Sequence, residues 1–303
     1  PPHVRRGYGY ASGLKNVGYS FGYPDTATAT VELFGRGEPE RAIVRVGAAE
    51  VGQGTHLAMR QIAAGVLGID TGRIEMVTDD SDEAPNAGSA SASRLTLLAG
   101  GAVHAAASEA LATYRNSEDL HVVATATFRP PATTPLDPVT GAGRPNFCYG
   151  YAAQAVAVDV DTLTGVVTVR TVVSAHDVGT AINRQQVEGQ VEGCLAQALG
   201  YTLLENFIVR DGQVMTPHLS TYLLPTSMDM PVEIVPVILE LADPNGPFGA
   251  RGMAEMPLVP FAPAVAAAIH DAIGVWLSDL PFTPERVLSA IMEAERATPQ
   301  RHV

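Results

Sequence analysis

The residue best placed to do chemistry in this sequence is a single carboxylate, Glu255. It lies in the stretch Asp243-Pro244-Asn245-Gly246-Pro247-Phe248-Gly249-Ala250-Arg251-Gly252-Met253-Ala254-Glu255-Met256-Pro257. Three glycines and three prolines in fifteen residues rule out regular helix or a central strand there. Such a loop between two apolar elements can present a general base. It can equally be a long surface loop with a solvated Glu255.

Three other stretches carry polar groups in spacings suited to a ligand. Gly52-Gln53-Gly54-Thr55 follows an apolar run at residues 42–46 and precedes Met59, Ile62, Ala63, Val66 and Leu67 at helical spacing. That order, strand then glycine loop then helix, leaves helix N–H groups and the positive dipole end facing outward, with Thr55 as N-cap. It is also the order of an ordinary strand-to-helix turn, and His56 reads as a capping or packing residue. Ala87-Gly88-Ser89-Ala90-Ser91-Ala92-Ser93-Arg94 puts small residues, hydroxyls and one arginine ahead of an Ala/Leu-rich helix, which suits a phosphate or a polar ring. Ser93 could be only the N-cap. On a helix over residues 183–204, Gln186, Gln190, Gly193, Gln197 and Gly200 form one stripe, opposite an apolar stripe with Val187, Val191 and Leu195. Each interior glycine costs about 1 kcal/mol relative to alanine. A face of amides and glycines therefore fits a buried polar ligand or a close neighbouring chain better than solvent.

The elements that must position these groups repeat. Strands over residues 27–34 and 42–46 make a hairpin, followed by the glycine loop, a helix, a strand at 74–78, a helix to about Tyr114 and a strand at 122–128. Residues 130–145 are a Pro/Gly-rich boundary. Strands at 152–160 and 166–174, a loop at 175–180 and the amide-striped helix rerun the same order. A strand at 232–239, a helix over 265–273 with Pro263 at its start and a last helix at 284–295 complete the chain, with a loose tail from Arg296. The expected fold is α+β, with two related subdomains (residues 1–145 and 146–303), each a mixed sheet with packed helices. The opening Gly7-Tyr8-Gly9-Tyr10-Ala11-Ser12-Gly13 reads as a loop, because it lacks the strand and helix that a dinucleotide fingerprint needs.

Composition narrows the function classes. With 303 residues, 46% of them hydrophobic, the chain can bury a sizeable core. Its net charge of −13 and lack of a basic stripe argue against nucleic acid as a partner. No run approaches the ~20 apolar residues of a membrane span. Two separated cysteines, Cys148 and Cys194, exclude an iron–sulfur cluster or zinc ribbon held by this chain alone and suit a cytoplasmic location. The acidic loop at residues 79–83 does not have EF-hand spacing and reads as solvated.

Gly52-Gln53-Gly54, the Ser/Ala-rich loop with Ser93-Arg94, Gly189-Gln190 with Gly193, and Gly249-Ala250-Arg251-Gly252-Met253-Ala254-Glu255-Met256-Pro257, in that order, resemble the xanthine dehydrogenase / aldehyde oxidoreductase family of molybdenum hydroxylases. The resemblance runs from about Gly7 to Leu288 and matches the C-terminal half of the family's molybdopterin-binding region. It implies a molybdenum ion on a pterin, usually the molybdopterin cytosine dinucleotide form in bacteria, with no direct protein ligand to the metal. Gln53 corresponds to the glutamine beside a metal oxygen ligand. Gly52, Gly54 and Thr55 flank it, and Ala87, Gly88, Ser89, Ala90, Ser91, Ser93 and Arg94 form the loop around metal and phosphates. Gln186 and Gln190 meet the cofactor, and Gly252, Met253 and Ala254 lead to Glu255, the active-site base. The implied reaction inserts a water-derived oxygen at an electron-poor carbon of a purine-like or nicotinate-like heteroaromatic substrate or an aldehyde.

The sequence departs from the family pattern at Ala254, where glycine is usual, and at Met256, where proline is usual. The N-terminal half of the region and the iron–sulfur and flavin segments are not in this chain. The resemblance therefore implies one subunit of a split enzyme, similar to the medium molybdenum subunit of nicotinate dehydrogenase. Its partners would be a second molybdopterin subunit, an iron–sulfur subunit and an FAD subunit. A reductive member similar to 4-hydroxybenzoyl-CoA reductase, or a subunit that only braces the cofactor, are the alternatives.

Overall fold

The computed structural model describes residues 2–297. It is an α+β fold built on two four-stranded sheets. Strand β1 (Val4–Asn16) comes first, then the hairpin of β2 (Ala27–Arg36) and β3 (Glu38–Arg45). Helix α1 (Thr55–Leu67) leads to β4 (Ile74–Val77), and helix α2 (Leu95–Arg115) to β5 (His121–Phe128). The second half repeats the order with β6 (Tyr149–Asp161), β7 (Val167–Asp177) and α3 (Arg184–Leu199). A small hairpin, β8 (Val209–Arg210) with β9 (Gln213–Val214), precedes β10 (Glu233–Leu239), α4 (Phe261–Ile273) and α5 (Pro284–Ala297).

The two sheets have matching orders, β4-β3-β2-β5 and β10-β7-β6-β1. In each, the hairpin's second strand pairs in parallel with the strand after the helix, β3 with β4 and β7 with β10. The fourth position differs. In the first sheet the strand after α2 fills it; in the second, β1 fills it from the chain's start, antiparallel to β6 from Val4 opposite Asp161 to Asn16 opposite Tyr149. The opening glycine stretch is thus a strand and not a loop, and residues 4–16 lie in the second sheet, apart from the rest of residues 1–145.

Close helix packing explains those glycines. A Cβ on Gly7 would lie 2.1 Å from the Ala268 carbonyl oxygen, and one on Gly9 2.3 Å from that of Ala264. Helix α4 presents alanines to the strand, and only glycine on the strand lets the two backbones approach so closely. The same logic governs α2. There a Cβ on Gly101 would meet the Phe128 ring at 2.6 Å, while Leu97, Leu98, Ala102 and Val103 are fully buried against β2 and β5. By length and composition α2 and residues 256–273 pass for membrane spans, contrary to expectation; two-thirds of α2 is buried inside this fold.

Local details also differ from expectation. Gly54, at φ 83°, and not Thr55 stands at the N-cap of α1, and Arg94 and not Ser93 at that of α2, both without a side-chain cap. Pro263 is the third residue of α4 and not its first. The strand β7 continues through Asp177, and Arg296 is still in α5; residues beyond Ala297 lie outside the described part. The amide-striped helix ends at Leu199 in a π turn, Gly200–Leu204, and Gly200 is buried beside Glu205. The acidic loop is committed locally: Asp80 accepts from the Asp82 N–H, and Glu83 pairs with Arg45.

Candidate functional site

A cavity of about 330 Å³ opens where the entrances of α1, α2 and α3 and the loop before α4 converge. It gathers most of the candidate residues: Gln53, Gly54 and Thr55 from the first loop, Ala90, Ser91, Ser93 and Arg94 from the second. Gln186 and Gln190 come from α3, and Gly252, Met253, Ala254 and Glu255 from the loop before α4. Gly52, Ala87, Gly88 and Ser89 are not in its wall. Gly88, at φ 79°, lies against the Arg94 guanidinium, and the Ser89 hydroxyl is 2.5 Å from that of Tyr19.

The loop carrying Glu255 is anchored from below by charge. Arg251 donates to Asp243 Oδ2 at 2.9 Å and to Asp177, both carboxylates nearly buried, and its backbone N–H reaches the Val178 carbonyl. Burial opposes ionisation of Asp243. The N–H of Asn245, the Arg251 guanidinium and the Cys148 thiol outweigh it, so this carboxyl sits below its ordinary range. The same burial, together with Asp243, pushes the Cys148 thiol up to about 12; burial takes Cys194 to about 11. Neither is a nucleophile at neutral pH. Met256 fills the notch at Gly150, where any Cβ would overlap its sulfur. The departure from proline at Met256 is thus matched by a glycine on β6.

Glu255 itself is held at the cavity rim. Its Oε2 accepts from Lys15 Nζ at 2.8 Å and from the Ser93 hydroxyl at 2.8 Å, while its Oε1 has no partner among the described residues. Ser93 reaches it because Ala92 and Ser93 both adopt φ 51°, a left-handed conformation costly for non-glycine residues. The two loops touch so closely that a Cβ on Gly252 would sit 1.6 Å from the Ser93 carbonyl oxygen. That contact requires glycine.

Some groups expected to face a ligand are already engaged. The Glu50 carboxylate accepts from the N–H groups of Gly52, Gly54 and His56 and so closes the start of α1. Gln53 accepts from the Val51 N–H and donates to the Ala49 carbonyl and the Thr55 hydroxyl. Arg94 places all its donors internally: Nε and Nη2 on Asp25, and the rest on the carbonyls of Ala87, Ser89 and Thr26. Its side chain is 1% exposed and that of Asp25 2%, so it braces the second loop and offers no N–H to a phosphate. His56 is a packing residue, bonded to the Ala48 carbonyl.

What remains open is a set of neutral donors. Gly252, Met253 and Ala254 line the cavity, and their backbone N–H groups meet no acceptor among the described residues. The amides of Gln186, Gln190 and Gln197 are likewise unengaged, and Asn183 caps α3 by accepting from the Gln186 N–H. Gln186 lies over Gly54, where a Cβ would come within 2.3 Å of its Nε2. Three consecutive unpaired N–H groups and a row of amides form a concavity suited to a polyanion, so the residues present fit a pterin phosphate group. Lys15, Glu50, Asp25 and Arg251 are residues that shape this site and that motif reading did not single out. Arg251 alone had a visible signal, being inside the glycine loop.

The comparisons agree with this geometry. The model of the molybdopterin cofactor-binding domain matches residues 2–122 and 108–231. A probable xanthine dehydrogenase subunit of Bacillus subtilis (strain 168) is 31% identical over 323 residues, covering 95% of this chain and 42% of that protein. The 6-hydroxypseudooxynicotine dehydrogenase complex subunit gamma of Paenarthrobacter nicotinovorans is 30% identical, covering 85% of this chain and 37% of its own length. Among solved structures, the aldehyde oxidoreductase of Desulfovibrio gigas superposes with a TM-score of 0.87 at 27% identity, covering 96% of this chain and 33% of that one. The chain thus spans from 33% to 42% of the length of these relatives. It belongs to the molybdopterin cofactor-binding domain family of the xanthine dehydrogenase and aldehyde oxidoreductase type.

Proposed function

We propose that this chain is the molybdopterin-binding subunit of a multi-subunit molybdenum hydroxylase with Glu255 as its general base. The reaction inserts a water-derived oxygen at an electron-poor carbon of an N-heteroaromatic substrate or an aldehyde. The observation that carries this reading is the state of Glu255. One carboxylate oxygen is fixed by Lys15 and Ser93, and the other is unpaired at the rim of a cavity lined by unengaged donors.

When bound, the molybdenum–pterin group supplies the two-electron redox chemistry. The chain's own residues hold and orient. The N–H groups at residues 252–254 and the amides of Gln186, Gln190 and Gln197 take the polar edge of the cofactor, in its cytosine dinucleotide form. Gln53 keeps the first loop in shape through its three bonds. The free Glu255 oxygen accepts the proton lost as a water-derived oxygen is activated. Relatives named as a xanthine dehydrogenase subunit and a 6-hydroxypseudooxynicotine dehydrogenase subunit support a nitrogen heterocycle, and aldehyde oxidoreductase supports an aldehyde. The electrons released pass to iron–sulfur and FAD subunits, a second molybdopterin subunit completes the site, and the complex works in the cytoplasm.

Glu255→Gln keeps the size and one acceptor oxygen but removes the base. In the assembled complex it should retain molybdenum and pterin at the wild-type level while turnover falls about 10²–10⁴-fold. Near-full turnover with full metal content would overturn the assignment of Glu255.

A further inference from the structure

The second sheet has one face on its helices, and among the described residues its other face is uncovered. Gly7, Gly9, Gln154 and Ser174 point to the side where α4 and the buried core lie. The other side carries Tyr8, Tyr10 and Leu14 of β1, Tyr151 of β6, Val173 of β7 and Val237 of β10, with exposures from 37% to 78%. Register aligns them: Tyr10 faces Ala155, Ala155 faces Val173, and Leu14 faces Tyr151. Along β1 from Tyr8 to Leu14 this face has no charged side chain, while on β10 the exposed Glu233 ends the row of Tyr8, Ala157 and Thr171. At its end the charges are already paired, Asp159 with Arg6 at 2.7 Å and with Arg170 at 3.6 Å. An apolar and aromatic centre with charges confined to its edges is the anatomy of a protein interface.

The whole surface supports the same conclusion. A compact monomer of this mass exposes about 12,000 Å², whereas this chain exposes 15884 Å². Four strands at ~4.8 Å spacing over seven residues give a face of roughly 400 Å², about half of the ~800 Å² per partner of a standard interface. It is therefore the centre of an interface that extends past it.

We infer that this open face of the second sheet docks the complementary subunit, the polypeptide that carries the molybdenum-hydroxylase length missing from this chain. The inference rests on the reading of the chain as one part of a split enzyme. Two observations select this occupant. The relatives and the aldehyde oxidoreductase structure embed the same fold in chains of which it is only 42% and 33%. A second copy is opposed by charge, since each chain carries −13.

The test titrates the purified full chain with its complementary subunit, comparing wild type, Ala155→Glu at the centre of the face, Tyr10→Ser as a milder change, and Leu163→Glu on the exposed turn after β6 as a control. Ala155→Glu should weaken association at least tenfold and Tyr10→Ser severalfold, with the control within twofold of wild type. Circular dichroism and the melting temperature of each chain alone should be unchanged. Association within twofold of wild type for both face variants overturns the proposal, as does sedimentation showing a homodimer that Ala155→Glu dissolves while subunit affinity is kept. If Glu255→Gln leaves turnover intact but Ala155→Glu still blocks assembly, the catalytic reading fails and the docking surface stands.

Discussion

Lys15 and Glu255 meet at 2.8 Å, so the first strand of the chain and the last loop before α4 share one ion pair at the cavity rim. Lys15 is half-buried, with 16% of its side chain exposed, and it also donates to the Asn16 carbonyl. It therefore holds the carboxylate from a rigid strand whose register is fixed by β6. Replacing Lys15 with methionine keeps the stem and removes the donor. Misplacement of a reacting group by about 1 Å costs about 10²-fold, so Lys15→Met should lower turnover of the assembled enzyme between about 10- and 100-fold with metal content unchanged. Lys15→Arg should recover most of it. Equal losses in both variants would show that the lysine acts through packing and not by orienting Glu255.

The contact between Gly252 and the Ser93 carbonyl joins the second and fourth loops of the site. Any side chain at 252 must push them apart, and Ser93 is already in a left-handed conformation. Gly252→Ala should cost about 1–3 kcal/mol by overpacking, read as a shift in the urea midpoint with unchanged slope. It should also break the Ser93–Glu255 bond and lower turnover along with stability. A stability loss without any effect on turnover would mean that Ser93 does not set the position of Glu255.

How much of this was legible follows from where each signal is written. Helices α1, α2 and α3 were readable because their apolar residues recur at helical spacing within one segment. The four site loops were readable as motifs because each spans a few residues. Strand β1 was not: its Gly-x-Gly alternation records the approach of α4, more than 250 residues later, and not a local turn preference. Lys15 was hidden for the same reason, being one charged residue on an unrecognised strand. The engagement of Arg94 and Glu50 was invisible too, since whether an arginine or a helix N-terminus is free depends on where Asp25 and a loop carboxylate fold back.

Glu50 takes the place at the start of α1 where a ligand anion was expected. Burial works against its ionisation, and the N–H groups of Gly54, His56 and Gly52 outweigh it, so its carboxyl sits below the usual range. A depressed carboxyl contributes stability above its unfolded pKa of about 4.3 and loses it as pH falls through the lower folded value. Glu50→Ala should therefore destabilise the chain at pH 7 by about 0.5–2 kcal/mol, the usual loss for a helix cap. The difference from wild type should shrink below pH 4. A difference that is constant from pH 7 to pH 3 would show that the carboxylate is not the cap.

His176 makes the clearest pH-dependent contribution to stability. It is fully buried in the second core, its Nε2 is 2.7 Å from the Ser174 hydroxyl, and its Nδ1 has no partner. Burial alone lowers its pKa to about 4. The folded state therefore binds this proton less readily than the unfolded chain, where the pKa is about 6.5. The sign is opposite to that of a salt-bridged histidine: stability is complete above pH 6.5 and falls as pH drops towards 4. The full loss is about 3 kcal/mol, from a shift of roughly two to three units at 1.36 kcal/mol each. His104, also lowered by burial, adds to the slope in the same window. Urea unfolding at pH 7, 6, 5 and 4 should show this decline in wild type, and His176→Gln should flatten it while leaving the contribution of His104. Because Ser174 also accepts from Gln154, which donates to the Pro257 carbonyl just past Glu255, the variant should loosen the loop that carries Glu255. Hydrogen exchange at residues 255–258 should then quicken at pH 7, where His176 is neutral in both states and the titration itself has no effect.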